Sequence, residues 1–445
     1  MTALPAERPA PARRRRLRGE PGAGPPLATF ASAGVPPYLV AALADEGILS
    51  PFPIQAATLP DALAGRDILG QGQTGSGKTL GFSIPLTARL ADGFTSACRP
   101  RGLVLVPTRE LASQVHAVLV PLARAAGLTV TAVYGGVPQN PQVAALRNRA
   151  DIVIACPGRL ADLIEQGHCH LGDVEVTVVD EADHMADLGF LPAVRRLLEA
   201  TPPEGQRMLF SATLDHAVDV LVRRFMDHPA QHTADPAEAP LEMIHHLLTV
   251  APADRIGVLA TITGGRGRSL VFTRTKHGAH QLTRQLTRAG ISAGELHGDL
   301  TQSSRERNLA AFAAGTVRVM VATDIAARGI HVDDINLVVH ADSPAEHKAY
   351  LHRAGRTARA GAAGTVITLQ SPAQAGEVRA MMRKAHVVPL AATVTPRSAL
   401  LRSIAGDPAA PAAPPSFTGR PAPAPALPAT GRGAAALSAS FRGRR

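Results

Sequence analysis

Residues 72–79 read Gly-Gln-Thr-Gly-Ser-Gly-Lys-Thr, and the short apolar run Ile68-Leu69 stands just before them. This loop constrains the fold more than any other stretch of the chain. It needs a strand to deliver it and a helix to receive it, because it presents backbone N–H groups at a helix N-terminus. Its glycines let successive N–H groups turn inward around an anion. Gly72, Gln73, Thr74, Gly75, Ser76, Gly77, Lys78 and Thr79 therefore form a candidate cradle for nucleotide phosphates. In such a loop the lysine reaches the β- and γ-phosphates and the final hydroxyl takes a Mg²⁺ position. Farther on, Asp180-Glu181-Ala182-Asp183 closes the apolar pattern Val174–Val179. It supplies what the loop lacks, an acidic residue for the metal and a neighbour able to orient water. The two elements predict that ATP is bound with Mg²⁺ and hydrolysed. Lys78, Asp180 and Glu181 are the candidate catalytic residues, and Thr79 and Asp180 the candidate metal ligands.

The loop sits within a longer rhythm. Leu103–Val106, Thr129–Tyr134, Ile152–Ala155 and Leu209-Phe210 are further apolar or β-branched runs, separated by helical patterns, one of which begins near Arg109. Near-continuous apolar strands alternating with helices predict a parallel sheet covered on both faces. Ligands bind such sheets at the carboxyl ends of the strands, where the loops above fall. Around residues 230–242 the texture becomes polar and Pro-rich. A second alternating set follows, with strands at Ser269–Phe272, Val317–Val321, Leu337–Val339 and Thr365–Leu369. Gly264-Gly265-Arg266-Gly267-Arg268 precedes its strand and has no Lys-Thr pair, so it is not a second phosphate loop. One half carries the nucleotide pocket, and the other must contribute across a cleft.

Charge is unevenly placed. Residues 1–28 carry a net +4 and residues 391–445 a net +6, which accounts for the whole net charge of +10 and leaves 29–390 formally neutral. Both ends are rich in Pro, Ala and Gly, and composition predicts that they are disordered. Arg13–Arg16 and Phe441-Arg442-Gly443-Arg444-Arg445 read as arms that gather a polyanion, or else only as solvating ends. The predicted division is an Arg-rich tail at 1–28, an ATP-binding domain at 29–230, a linker at 231–241, a second domain at 242–390 and a basic tail at 391–445. Cys98, Cys156 and Cys169 make no disulfide framework and lack metal-ligand spacing, which fits a reducing cytoplasm. His168-Cys169-His170 reads as a solvated loop. No apolar run is long enough to suggest a membrane span. The Ala/Arg/Pro-rich, Lys-poor composition suggests a GC-rich bacterial genome.

With these motifs in order, the chain resembles the DEAD-box RNA helicases, of bacterial type, over roughly residues 29–370. The resemblance implies an α/β fold of two tandem RecA-like, doubly wound parallel-sheet domains with disordered basic tails. Gly47 through Pro53-Ile54-Gln55 is similar to the family's Q motif, in which Gln55 would bond the adenine edge and Phe30 would stack on it. On its own, Gln55 is a polar residue opening a helix. Pro107-Thr108-Arg109-Glu110-Leu111-Ala112 looks like the segment that grips RNA, with Gly135-Gly136 and Pro157-Gly158-Arg159 as further phosphate contacts. Where Cys156 stands, the family usually has Thr.

Ser211-Ala212-Thr213 looks like the element coupling ATP to RNA, although a helix N-cap explains it equally well. In the second half, Thr273 with Arg274, Gln302 with Arg305, and Thr323 resemble RNA-binding motifs, and Asp324 and His352 resemble coupling residues. Arg356 and Arg359, three apart on a helical pattern, resemble the arginines that reach a γ-phosphate. The family's Arg-Gly-Ile-Asp is Arg328-Gly329-Ile330-His331 here, so His331 replaces a carboxylate. Ala358 replaces a usual Gly and Ala341 a usual aromatic.

The resemblance implies RNA-stimulated ATP hydrolysis coupled to local unwinding of short duplexes or remodelling of RNA–protein complexes. An RNA clamp with little strand separation, a DNA-directed helicase and a non-enzymatic RNA-binding protein are the alternatives. RNA is the expected partner, through its backbone, with ribosomal or RNA-decay complexes as candidate assemblies. A cytoplasmic monomer is expected.

Overall fold

In the computed structural model, the described residues are 29–72, 75–233, 243–327, 332, 335–358 and 364–406. They build two seven-stranded sheets in which every strand pairing is parallel. The first contains β1 (Ile68–Gln71), β2 (Gly102–Leu105), β3 (Val130–Val133), β4 (Ile152–Ala155), β5 (Val176–Asp180), β6 (Gln206–Ser211) and β7 (Ala230–Thr233). The second contains β8 (Met243–Thr249), β9 (Arg268–Thr273), β10 (Ala293–Leu296), β11 (Val319–Thr323), β12 (Ile335–His340), β13 (Gly364–Gln370) and β14 (Leu390–Thr393). The first sheet runs β3-β4-β2-β5-β6-β1-β7 and the second β10-β11-β9-β12-β13-β8-β14. Lowering each label of the second sheet by seven reproduces the first. The chain is therefore two lobes with one topology, as expected for tandem RecA-like domains.

Apolar side chains fill both faces of each sheet, because strands such as β4 and β5 are buried at every position and alternate between two layers of helices. This burial supplies most of the stability. Gly70 on β1 is a point of close approach: a Cβ there would lie 2.4 Å from Phe210 of β6. The Phe210 ring meets Phe82 on the helix Lys78–Leu90, with ring centroids 5.6 Å apart, directly below the phosphate loop. The far end of that helix is fastened by Arg101, which is 5 % exposed. Its guanidinium donates to the carbonyls of Leu90 (3.0 Å) and Asp92 (2.7 Å) and pairs with Glu175 at 2.6 Å.

Two boundaries move. β7 continues to Thr233, so the linker does not begin at 231. The tail expected from 391 starts later: β14 pairs with β8, and the helix Ala399–Ala405 packs on the helix Arg255–Thr263. Arg397 and Arg402 thus belong to the folded lobe. Cys169, placed by sequence on a solvated loop, is fully buried in the first core. The arms Arg13–Arg16 and 441–445 lie outside the described residues, as do Gln73, Thr74, Arg328–His331 and Arg359. Among the described residues, no helix is long and apolar enough to cross a membrane.

Replacing Arg101 by Leu leaves two helix-end carbonyls without a donor and Glu175 without its cation. A loss of about 2–4 kcal/mol is expected in denaturant unfolding of the first lobe.

Candidate nucleotide and nucleic-acid cleft

The strand order places the motifs. β5, β6 and β1 are adjacent, so Asp180, Ser211 and the phosphate loop leave the sheet side by side. β2, β4 and β3 are also adjacent, and they deliver Thr108-Arg109, Pro157–Arg159 and Gly135-Gly136 to the other half of the same edge. One sheet edge thus carries the two groups of motifs side by side.

In the loop, Gly75 and Gly77 adopt φ of +91° and +88°, a conformation that glycine takes without cost. Ser76 Oγ is buried and makes no hydrogen bond. Lys78, 7 % exposed, donates from Nζ to the Gly72 carbonyl. An inward-turned loop with an orphan hydroxyl and a buried ammonium fits a phosphate chain. Asp180 is 3 % exposed, and burial pushes its carboxyl up to about 7. Lys78 opposes that shift, while the nearby Glu181 and Asp183 add to it. A buried carboxylate in that state lacks compensating positive charge, so the donor set fits a dication.

Glu181 itself is left-handed, at φ 53° and ψ 52°, immediately before the helix Ala182–Asp187. An acidic side chain in that backbone conformation is held by its surroundings rather than by preference. Its Oε2 lies 2.9 Å from His184 Nδ1. Asp183, which sequence reasoning quoted without assigning a role, is the junction with β6. Its Oδ2 accepts from Thr213 N and Oγ1, both at 2.9 Å, and its own N–H donates to Ser211 Oγ. Ser211 Oγ in turn donates to the Thr213 carbonyl. The Ser-Ala-Thr segment is therefore bonded to the acidic motif. The helix it could have capped begins at Asp215, which caps itself through Ala217 and Val218.

Two assignments for the base change. Phe30 is 2 % exposed and packs among Leu39, Leu43, Leu59 and Ile84, so it has no face to offer a ring. Its apolar neighbours are scattered through the sequence, which hid its burial. Gln55 is 1 % exposed; its Oε1 accepts from Phe52 N and its Nε2 donates to the Gly77 carbonyl. It tethers the helix Pro53–Leu63 to the phosphate loop. The exposed aromatic beside the loop is Phe52, at 57 %, and a Cβ on Gly77 would lie 2.5 Å from its ring.

On the other half of the edge, Thr108 caps the helix Arg109–Ala125 by accepting from Leu111 N. Arg109 lies over Gly136, where a Cβ would sit 2.0 Å from the guanidinium and displace it, and the backbone there has φ +79°. Arg159 donates to the Val137 carbonyl at 3.4 Å. Gly135 and Gly158 would meet nothing if given a Cβ, so their smallness serves no packing need. Cys156 precedes the helix Pro157–Glu165 without capping it; burial, reinforced by Glu110, pushes its thiol up to about 12, so the position carries no charge.

The second lobe repeats the arrangement. Thr273 closes β9 and donates to the Thr275 carbonyl, and Arg274 is held through Asp342 and Ser343. Thr323 ends β11. Asp324 follows it and takes Arg353 in a fork at 2.5 and 2.7 Å, while the guanidinium lies 5.0 Å above the Phe272 ring. Arg356, 8 % exposed, shares a small recess with Asp324, His352 and Arg353. Gln302 donates to Glu306. Ala358, which replaces a usual Gly, stands at φ 55°, where glycine would meet no strain. Ala341 is buried in an apolar cluster.

Among the described residues, two ion pairs and one histidine–carboxylate contact join the lobes. Arg305 Nε meets Glu110 Oε1 at 2.8 Å, with both side chains largely buried. Lys348 lies 3.5 Å from Asp215 and His352 lies 3.8 Å from Asp187. Local sequence could not pair residues so far apart. The last two contacts set the helix His347–Ala354 against the elements leading from Glu181 and Thr213.

The model of the DEAD/DEAH box helicase family matches residues 52–221, and that of the helicase conserved C-terminal domain matches 254–361. The chain is 38 % identical over 393 residues to the DEAD-box ATP-dependent RNA helicase 30 of Arabidopsis thaliana, covering 85 % of this chain and 65 % of that protein. It is 39 % identical over 385 residues to the DEAD-box ATP-dependent RNA helicase 5 of Oryza sativa subsp. japonica, covering 83 % of this chain and 75 % of that one. The fold resembles that of S. cerevisiae Dbp5 bound to RNA and ADP BeF3, with a TM-score of 0.72 and 26 % identity over 82 % of this chain and 95 % of that chain. Two like lobes, an edge shared by phosphate-loop and acidic motifs, and matches on both lobes lead to one assignment: the chain belongs to the DEAD/DEAH box helicase family.

Proposed function

We propose that the protein is an ATP-dependent RNA helicase that hydrolyses ATP when its lobes close on nucleotide and RNA, separating short duplexes locally. The observation that carries this reading is the meeting of the helix that opens after Glu181 with the helix that leads to Arg356, through Asp187–His352. Hydrolysis and closure then share one contact surface. The RNA and ADP BeF3 in the Dbp5 structure support the same pairing of ligands.

In this reading ATP sits on Gly72–Thr79 with Lys78 against its outer phosphates. Thr79 and Asp180 would hold Mg²⁺, which neutralises phosphate charge. Glu181 takes the proton of the attacking water, its second oxygen steadied by His184. Arg356, with Arg359, balances the charge that develops on the transferred phosphoryl group. Asp183 relays nucleotide state to Thr213, and Asp215–Lys348 carries it to the second lobe. RNA lies across Arg109, Gly136 and Arg159 on one lobe and Thr273, Arg274 and Thr323 on the other, read through phosphates and 2′-hydroxyls. A cytoplasmic, bacterial-type monomer working on ribosomal or RNA-decay complexes extends this reading; the composition and the three unpaired cysteines support it.

Replacing Glu181 by Gln lowers steady-state ATPase by at least about 100-fold while ATP and RNA still bind, because only proton transfer is lost. Equal turnover in variant and parent would exclude Glu181 as the base. Phe52→Ala weakens ATP binding about two- to tenfold, the worth of one aromatic stack; an unchanged dissociation constant would place the base elsewhere. Because burial holds the Asp180 proton up to about pH 7, the cation must displace it below that pH. The Mg²⁺ concentration giving half-maximal ATPase should therefore rise as pH falls from about 8 to about 6. A flat dependence would contradict the assignment of Asp180.

A further inference from the structure

Beside the outermost strand of the second sheet, three side chains converge that the proposed reaction does not use. Glu295 lies on β10, His297 follows that strand, and His280 projects from the helix Lys276–Arg288. His280 Nδ1 is 2.9 Å from Glu295 Oε2, and His297 Nε2 is 3.5 Å from the same oxygen. One donor atom from each residue lies within 4.8 Å of the other two. A tetrahedral ion with N and O ligands at about 2.0–2.2 Å holds neighbouring donors about 3.3 Å apart. Small rotamer changes bring all three onto one ion.

His297 supplies the second observation. The residue is 6 % exposed, and neither ring nitrogen makes a hydrogen bond. Buried polar atoms are almost always satisfied, and a buried imidazole nitrogen that stands 3.5 Å from a carboxylate oxygen without a hydrogen bond can be satisfied by a cation shared with it. His280 has 52 % of its side chain exposed, which provides an entry path. The nearest ammonium, Lys276, is paired with Asp299 at 2.6 Å. Behind the site, Asn308 donates to the Glu295 carbonyl at 2.8 Å and fixes the strand to the helix Gln302–Ala313.

We propose that His280, Glu295 and His297 bind one divalent transition cation of the zinc type, leaving a fourth position to water. Two imidazoles and one carboxylate favour Zn²⁺, Co²⁺ or Ni²⁺ over Mg²⁺ or Ca²⁺, which prefer all-oxygen sites. The ion clamps the helix Lys276–Arg288 to the turn 297–301. Thr301 caps the next helix by accepting from Ser304 N, and that helix carries Arg305 to Glu110. The cation is thereby a strut beneath an interlobe contact.

The test titrates the full-length, metal-stripped, nucleotide-free chain with Co²⁺ and follows its visible d–d absorption. The parent should bind one equivalent. His280→Ala and Glu295→Gln should bind it more than about tenfold more weakly, since even indirect partners of metal ligands are worth that much. His228→Ala, in the other lobe with its side chain wholly exposed, should match the parent. His280 is a surface residue, so its loss leaves the core intact, and far-UV circular dichroism verifies that. No bound equivalent in the parent, equal affinity in His280→Ala and parent, or an equal loss in His228→Ala would overturn the proposal.

Discussion

The ion pair between Glu110 and Arg305 is the constraint on which the rest of the cleft depends. A carboxylate and a guanidinium this deeply covered are costly apart and tolerable only together. The pair joins the start of the helix behind β2 to the start of the helix behind β10, so each lobe brings one of its candidate RNA-binding segments to the same seam. Once that seam is set, the helix His347–Ala354 faces the acidic motif, and the other two contacts fall into place. Arg305 resembled a phosphate ligand in sequence; in the fold its guanidinium is engaged with a carboxylate of the partner lobe. It ties the lobes together where RNA would cross between them.

The acidic motif concentrates negative charge where water is excluded. Asp180, Glu181 and Asp183 are all less than 10 % exposed. Each is held differently. Asp180 accepts from the Glu181 N–H at 3.0 Å, Glu181 is bent into a left-handed turn, and Asp183 is spent on Thr213. The result is a division of labour enforced by backbone geometry, with the Asp183 carboxylate committed to Thr213, just past the neighbouring strand. The same lobe tolerates this because β5 and its neighbours β2 and β6 bury apolar side chains in both helix layers.

Much of this was legible before any coordinates. Most strands that carry motifs are short but apolar runs, and the loop after β1 has few alternatives. The strands β7, β8, β10 and β14 escaped notice because they contain histidines, alanines, glycine or threonines and lie at or near the sheet edges, where one side is open and no continuous apolar run is needed. Phe30 was misjudged because an aromatic near a base-binding motif and an aromatic in a core look alike until its neighbours are known. Asp183 and Glu110 were overlooked for another reason: their partners, Thr213 and Arg305, are brought to them only by tertiary folding. Local pattern reports what a residue is, and topology decides what it meets.

The shared strand order has a consequence for where a nucleotide is seated. β8 holds in its sheet the place that β1 holds in the first, yet it runs into Val250-Ala251-Pro252 and a short 3₁₀ turn at Pro252–Asp254. Proline has no N–H to offer an anion, and the turn contains no glycine. Among the described residues the second lobe offers no glycine-rich counterpart of the phosphate loop at this place, so in the proposed reading the triphosphate is seated on the first lobe.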